Sequence, residues 1–207
     1  LWDDTLIVFT SDHGEQLGDH WLLGKAGYFD QSYAVPLIVR DPRPSADFAR
    51  GQAVHQFTEH VDIMPTLLDF VGAEIPPQCD GRSLIHFVEK GMAAGWRGEA
   101  HFEFDFRDAS FDGAEHALGL TLHQCNLAVI RDERFKYVHF AGLPPLLFDL
   151  RSDPGEFTNL AASADHKATA LVYAQKLISW RMAYEDQTLT HKMATDNGMI
   201  ERASPRI

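Results

Sequence analysis

The sequence is poor in cysteine and in basic residues. Two cysteines among 207 residues, Cys79 and Cys125, are too few for a disulfide framework. Lys and Arg number 18 against 30 Asp and Glu, a formal net charge of −12. This balance argues against nucleic acid or an anionic membrane as a partner, because binding either requires a basic surface. A small anionic substrate remains compatible, since one local positive cluster can lie within an acidic protein.

The sequence also lacks a long apolar run, a starting methionine and a signal peptide. No stretch approaches the roughly 18 apolar residues of a membrane-spanning helix, so we expect no membrane segment. We expect a cytoplasmic protein, but the missing targeting peptide is not evidence for this, because further sequence is expected upstream. An apolar run begins at Leu6, directly after the polar opening. We therefore expect further sequence upstream, because a domain seldom begins immediately before a buried strand.

What is present is the composition of a folded domain, with 45% hydrophobic and 23% charged residues. The patterning predicts an α/β fold in three parts. Residues 1–97 are expected to be the end of an α/β domain. Residues 98–186 are expected to form a small antiparallel four-stranded sheet with one helix across it. Residues 187–207 are polar and weakly patterned, and are expected to form an arm.

Within the first part, short β-branched runs at 5–10 and 36–39 predict strands buried on both faces, as in a parallel sheet. Asp62 is expected to cap a helix that stops at Gly72, and Ser83 to start a second, shorter helix.

Within the second part, strict alternation at 101–106 predicts a strand with one solvated face. The runs at 127–131 and 134–140 predict an antiparallel hairpin, and 146–150 a fourth strand. A helix is predicted over 167–183. Its expected buried stripe consists of Leu171, Ala174, Ile178 and Met182.

A carboxylate and an imidazole stand side by side where the first predicted strand ends, in Thr10-Ser11-Asp12-His13-Gly14-Glu15. Open α/β sheets bind ligands at such strand ends. Asp12 and His13 can both reach one cation if the backbone turns sharply, which Gly14 permits. This mixed oxygen and nitrogen set suits Mn²⁺, Zn²⁺ or a tolerant Ca²⁺ site better than Mg²⁺. The alternative is a capping aspartate beside a surface histidine.

Motifs further along the chain give this pair a context. They are GK at 24–25, YFDQS at 28–32, VPLIVR at 35–40, VDIMPTLL at 61–68, DGRSL at 80–84, RFKY at 134–137 and FDLRSDPGEFTNL at 148–160. In this order, the series resembles the C-terminal part of the sulfatase family within the alkaline phosphatase superfamily. It is most similar to the phosphonate monoester hydrolase and arylsulfatase-like branch.

The resemblance implies a mainly parallel sheet between helices, followed by a small four-stranded antiparallel sheet. It also implies hydrolysis of sulfate, phosphate or phosphonate esters with one divalent cation, Mn²⁺ or Ca²⁺ ahead of Zn²⁺, and a formylglycine nucleophile. By position, Asp12 and His13 would be two of the metal ligands. Lys25 would contact the ester oxygens or the leaving group, and the substrate would be a small anionic ester.

Elementary chemistry supports these roles for the residues themselves. Transfer of a sulfuryl or phosphoryl group spreads negative charge over the non-bridging and leaving oxygens. A cation clamps one side of that charge, and Lys25 can supply a second positive charge opposite it. The alternative for Lys25 is a solvated surface lysine. His20 is expected either to orient Lys25 or a ligand, or to be a purely structural histidine.

The sequence departs from the family pattern at the nucleophile. The family's Cys/Ser-x-Pro-x-Arg motif surrounds neither cysteine, and the Asp3-Asp4 pair precedes the first strand, so it is not the family's pair of aspartate ligands. We therefore expect a fragment that lacks the formylglycine and half of the metal cage, and that is inactive by itself.

Two other functions stay open. A non-catalytic sulfatase-like module would retain the fold for assembly or metal binding. A two-metal phosphodiesterase would use His55 and His60 for a second cation. A homo-oligomer is also expected, because the predicted central strands would be left uncovered. The polar arm also carries isolated apolar residues that could anchor it on a neighbouring subunit: Leu189, Met193, Met199 and Ile200.

Overall fold

The computed structural model describes residues 1–25, 27–107, 113–185 and 192–201. Its strands are β1 Ile7–Thr10, β2 Gln16–Leu17, β3 Leu23–Gly24, β4 Leu37–Arg40, β5 Glu99–Asp105, β6 Asn126–Asp132, β7 Phe135–Phe140, β8 Leu146–Asp149, β9 Lys192–Thr195 and β10 Gly198–Glu201. Its α-helices are α1 Asp30–Tyr33, α2 Ile63–Phe70, α3 Ile85–Lys90, α4 Gly113–Leu118 and α5 Lys167–Tyr184. No helix in these ranges is long and apolar enough to cross a membrane.

The predicted four-stranded sheet is confirmed. Its strands run antiparallel in the order β5-β6-β7-β8, so each strand pairs with its neighbour along the chain. Val129 at the centre lies opposite Phe102 of β5 and Val138 of β7. The edge strand β5 keeps the alternation seen in the sequence, whereas β6 and β7 are buried on both faces.

The sheet is buried on both faces because each face has its own cover. One face packs Ala128, Ile130, Tyr137 and Leu147 against Tyr173 and Leu177 of α5. The other face packs Leu127, Val129, Val138 and Phe148 against a group that includes Tyr28, from the first part of the chain. The first part of the chain therefore contributes, through Tyr28, to the apolar cluster on this second face.

The predicted buried stripe of α5 was wrong, although the helix bounds agree within one residue. Tyr173 and Leu177 are the buried positions, while Leu171, Ile178 and Met182 are exposed and Ala174 is partly buried. Tyr173 determines the rotation of the helix: its ring packs edge-on to Phe135 and its hydroxyl donates to Asp132. A tyrosine with a polar partner in reach is an apolar anchor that a simple hydrophobic pattern overlooks.

The burial on both faces, as in a parallel sheet, that was expected for the strands at 5–10 and 36–39 was also wrong. β1 pairs with β4 antiparallel, with Phe9 opposite Ile38. These two side chains are 58% and 60% exposed, so one face of the pair is uncovered. Every strand pair in the described ranges is antiparallel. Short β-branched runs do not reveal the direction of pairing, because both kinds of sheet accept them.

The expected arm is in part a hairpin. Strands β9 and β10 pair antiparallel around a turn in which Gly198 has a φ of 103°. The signal was present in the sequence, because the turn residues Asp196 and Asn197 are types that turns favour, and glycine at 198 accepts the positive φ. Met199 and Ile200 are exposed on this hairpin, and Leu189 lies outside the described residues. The homo-oligomer stays a prediction.

Helices α2 and α3 confirm the predicted helices, but Asp62 does not cap α2 with its side chain. Its buried carboxylate accepts two hydrogen bonds from Arg97, at 2.6 and 2.7 Å. It also accepts the backbone N–H groups of Glu59 and Arg82, both at 2.8 Å. Asp62 thereby joins the start of α2, the loop before α3 and the segment entering β5.

Replacing Asp62 by Ala should lower the free energy of unfolding by about 3–5 kcal/mol, because two backbone amides lose their acceptor and the partly buried Arg97 guanidinium retains Glu59 but loses Asp62 as a carboxylate partner. Urea denaturation would measure the change. Asp47→Ala is the matched control: its ion pair with Arg50 is exposed, so the loss should stay below about 1 kcal/mol. Equal losses of unfolding free energy in the two variants would contradict the conclusion that the buried Asp62 carboxylate holds these segments together.

His101 on β5 introduces a pH dependence. Its ring is buried and stacks parallel on Trp180 of α5, with centroids 4.5 Å apart. Burial lowers the pKa of His101 to about 4, despite the nearby carboxylate of Glu99. The unfolded chain, with a histidine pKa near 6.5, therefore binds more protons than the folded chain between these two values.

Stability contributed by neutral His101 should be complete above about pH 6.5 and be lost as the pH falls toward about 4. His101→Phe keeps an aromatic ring on Trp180 and removes the titrating group. Unfolding free energies of this variant should depend less on pH between about pH 7 and about pH 5 than those of the parent. Parallel pH curves for the two proteins would refute this explanation.

Candidate functional site

Asp12 and His13 lie directly after β1, as predicted, with Asp12 exposed and His13 partly buried. Gly14 follows them, and its N–H donates to the carbonyl of Ser32 at 2.8 Å. A Cβ at Gly14 would come within 1.9 Å of the Gln31 carbonyl oxygen. Glycine is needed here for close backbone approach, because only this residue lets the strand end pack on α1.

The His13 ring is held by its own backbone. Its Nδ1 lies 2.7 Å from the carbonyl oxygen of Gly14, which can only accept, so Nδ1 carries the proton. The other nitrogen, Nε2, then presents a lone pair at 3.4 Å from Asp12 Oδ2. Two atoms that each bind the same cation at about 2.0–2.2 Å lie at a distance from each other that is similar to this 3.4 Å separation. The pair therefore fits one divalent cation between these two atoms.

The Asp12 carboxyl is biased toward its charged form. Desolvation opposes the shift, but His13, hydrogen bonds from the His13 and Asp12 backbone amides, and the charge of Lys25 together lower the pKa of Asp12. In the described ranges, no group of three or more His, Cys, Asp or Glu side chains could hold a metal ion. Asp12 and His13 could therefore supply two ligands to a cation, and no third such side chain joins them within these ranges.

A short hairpin connects the pair to Lys25. Strands β2 and β3 pair as Gln16 opposite Gly24 and Leu17 opposite Leu23, around a turn at Asp19–Trp21. Lys25 follows β3 and is exposed. Its ammonium forms no hydrogen bond or ion pair with the described part of the chain, and is close enough to Asp12 to influence its pKa. The hairpin thus returns the chain to the strand end from which it left.

The contacts of His20 are aromatic. Its ring stacks on Phe29 with centroids 3.7 Å apart and an interplanar angle of 10°, and approaches Phe157 at 4.8 Å. The backbone of His20 is left-handed, with φ 51°, as is that of Trp21, with φ 59°. These contacts match the structural alternative raised for His20. A role in orienting Lys25 would act through the hairpin backbone.

Of the two histidines considered for a second metal, one lies near the pair. His60 Nε2 is 3.2 Å from the Thr10 hydroxyl at the end of β1. His60 also borders a cleft of about 800 Å³ between β4 and β5, whose wall includes Arg82 and Trp180. That cleft is not lined by Asp12, His13 or Lys25.

Sequence reasoning missed the buried charges beneath the hairpin. Lys136 of β7 is 0% exposed, and its ammonium contacts Asp30 Oδ1 at 2.6 Å, the Tyr28 carbonyl at 3.2 Å and the Glu156 carboxylate. Arg131 binds the other Asp30 oxygen at 3.0 Å. A lysine at a buried position of a strand was the available signal, because such a charge needs acids nearby.

Charge pairing and burial act in opposite directions on the two acids. Burial opposes ionisation of Asp30, but Lys136 and Arg131 outweigh it and lower the pKa of Asp30. Burial raises the pKa of Glu156, and Lys136 offsets this only in part.

Residues 18–183 match the protein family described as N-sulphoglucosamine sulphohydrolase, C-terminal. Among relatives, the multifunctional alkaline phosphatase superfamily protein PehA of Trinickia caryophylli is 50% identical, over 97% of this chain and 39% of its own length. The choline-sulfatase of Rhizobium meliloti is 37% identical, over 78% of this chain and 28% of its own length.

Solved structures agree with these relatives. The phosphonate monoester hydrolase of Agrobacterium radiobacter superposes with a TM-score of 0.88 at 54% identity, over 98% of this chain and 40% of that protein. The phosphonate monoester hydrolase of Silicibacter pomeroyi superposes with a TM-score of 0.84 at 38% identity, over 97% of this chain and 39% of that protein. The chain thus spans about two fifths of the length of PehA and of the two phosphonate monoester hydrolases, and 28% of that of the choline-sulfatase.

Proposed function

Because the chain belongs to the sulfatase family of the alkaline phosphatase superfamily, as its C-terminal domain, we propose that it forms part of the active site of an ester hydrolase acting on small sulfate, phosphate or phosphonate esters. The observation that carries the proposal is the Asp12–His13 pair, with Nε2 and Oδ2 separated by 3.4 Å, and the charge of Lys25 beside it. The remaining ligands and the nucleophile, a formylglycine in this proposal, would lie outside these residues.

The pair would hold one divalent cation, Mn²⁺ or Ca²⁺. When bound, such an ion supplies positive charge to the non-bridging oxygens and polarises the reacting centre. Asp12 would contribute a carboxylate whose ionisation its neighbours favour. His13 would contribute Nε2, with its tautomer held by the Gly14 carbonyl.

Lys25 would act on the substrate itself. An ammonium aimed at the leaving or non-bridging oxygens stabilises the negative charge that develops there as the ester bond breaks. The absence of an ion pair to Lys25 in the described part of the chain leaves its charge available for this role. Its effect should be greatest when the leaving oxygen is a poor anion.

One observation bears on the two-metal alternative. His60 approaches the end of β1 at Thr10, whereas His55 is exposed and belongs to no three-residue ligand group in the described ranges. Within the described ranges, a second cation at the end of β1 would therefore have His60 beside it, through the contact with Thr10. The one-cation hydrolase, with Lys25 in place of the second charge, is the simpler fit.

Replacing Lys25 by Ala in the longer hydrolase that this proposal implies should lower kcat/KM by about 10²-fold or more, comparable to the loss of one preorganised donor. The loss should shrink for esters with good leaving groups, which need less stabilisation. A series of aryl esters with graded phenol acidity would measure this dependence. Lys90→Ala, at the exposed end of α3, is the control, and an unchanged rate for a poor leaving group would remove Lys25 from the site.

These 207 residues alone should bind Mn²⁺ or Ca²⁺ more weakly than about 1 μM, because two ligands do not make a tight site. Calorimetric titration of the chain, and of the longer protein, would measure both affinities. In the longer protein, Asp12→Ala and His13→Ala should each weaken binding, whereas Asp3→Ala, at an exposed position, should not. Submicromolar binding of Mn²⁺ or Ca²⁺ by the chain alone would contradict the proposal that these residues supply only part of the metal site.

A further inference from the structure

Two consecutive residues are connected to the Lys25 loop on both sides of Lys25: Phe157 directly, and Glu156 through the ammonium of Lys136. The Phe157 ring lies 4.8 Å from the ring of His20, five positions before Lys25. Glu156 binds the Lys136 ammonium, which also binds the Tyr28 carbonyl and the Asp30 carboxylate, three and five positions after Lys25. One dipeptide is therefore connected to the loop before and after its lysine.

The second of these connections is electrostatically strong, because it is buried. Lys136 is fully buried and Glu156 is nearly so. Removing one partner of such a pair leaves an uncompensated charge in the interior, which folded proteins tolerate poorly. The positions of Tyr28 and Asp30 are thus tied to β7 by a charge that cannot readily find another partner.

The dipeptide adopts a geometry that packing alone does not require. Glu156 has a left-handed backbone with φ 58°, which is unfavourable for a residue with a Cβ, and its second carboxylate oxygen is buried without a hydrogen-bond partner among the described residues. A Cβ on the preceding Gly155 would come within 2.5 Å of the Phe157 ring. The turn therefore places the carboxylate on Lys136 and the ring on His20 at the same time.

Among the described residues, Lys25 forms no hydrogen bond or ion pair that could place its ammonium. Its position therefore depends on the backbone of residues 20–30. We propose that Glu156 and Phe157 are positioning residues that hold this loop and thereby place Lys25 for the reaction. The inference rests on the proposed function of Lys25.

The test uses the longer protein, with Glu156→Gln and Phe157→Leu as separate variants. Each should lower kcat/KM about tenfold for esters with poor leaving groups and much less for good ones, because a displaced ammonium loses its effect where charge development is greatest. In a Lys25→Ala background, neither variant should cause a further loss. Glu133→Gln, at an exposed position in the β6–β7 turn, should change nothing.

Hydrogen exchange provides a readout that is independent of activity. Amides of residues 18–34 should exchange faster in both variants, while those of α2 should not change. Phe157 is largely exposed, so Phe157→Leu keeps the test valid if Glu156→Gln fails to fold. A loss of activity that is equal for all leaving groups, with the Lys25→Ala dependence intact, would overturn the positioning role alone. Absence of that dependence in Lys25→Ala itself would overturn the proposed function and this inference together.

Discussion

The buried ammonium of Lys136 is the constraint on which the arrangement of the two parts of the chain depends. It lies on β7, inside the small sheet, and its partners come from α1 and from the turn after β8. Buried ion pairs add little net stability compared with apolar packing, but they penalise every arrangement that separates the charges. Lys136 therefore specifies where Asp30 must lie, and Tyr28 then packs against the sheet face beside it.

A second buried charge performs a similar task where the chain enters the edge strand β5. Asp62 holds Arg97, which leads into β5, and the backbone amide of Arg82 before α3. The contacts of Lys136 and of Asp62 both use charges, because the segments that they connect are loops and short helices. Such segments have too little apolar surface to hold their relative positions by packing. The apolar core orders the sheet, and the buried charges order what surrounds it.

The residues of the candidate site differ from these buried charges in their exposure to solvent. Asp12 and Lys25 are exposed, and His13 is partly so. Their positions come from backbone features: the close approach at Gly14, the left-handed residues of the hairpin turn and the buried charges below. An exposed pair on a buried framework can meet a substrate and still keep its geometry, since the reactive side chains need not take part in the packing.

The sequence by itself determined the order of the elements, the small antiparallel sheet, the long helix α5 and the neighbourhood of Asp12, His13 and Lys25, because alternation, helical spacing and local motifs are properties of adjacent residues. Only the tertiary structure decided the antiparallel pairing of β1 with β4, the rotation of α5 about Tyr173 and the burial of Lys136 with Glu156. Each of these depends on partners distant in the chain: Ile38 for Phe9, Asp132 for Tyr173, and Asp30 for Lys136. A local sequence pattern does not identify such partners, since the packing and ion-pair energy that selects them arises only when the segments come into contact.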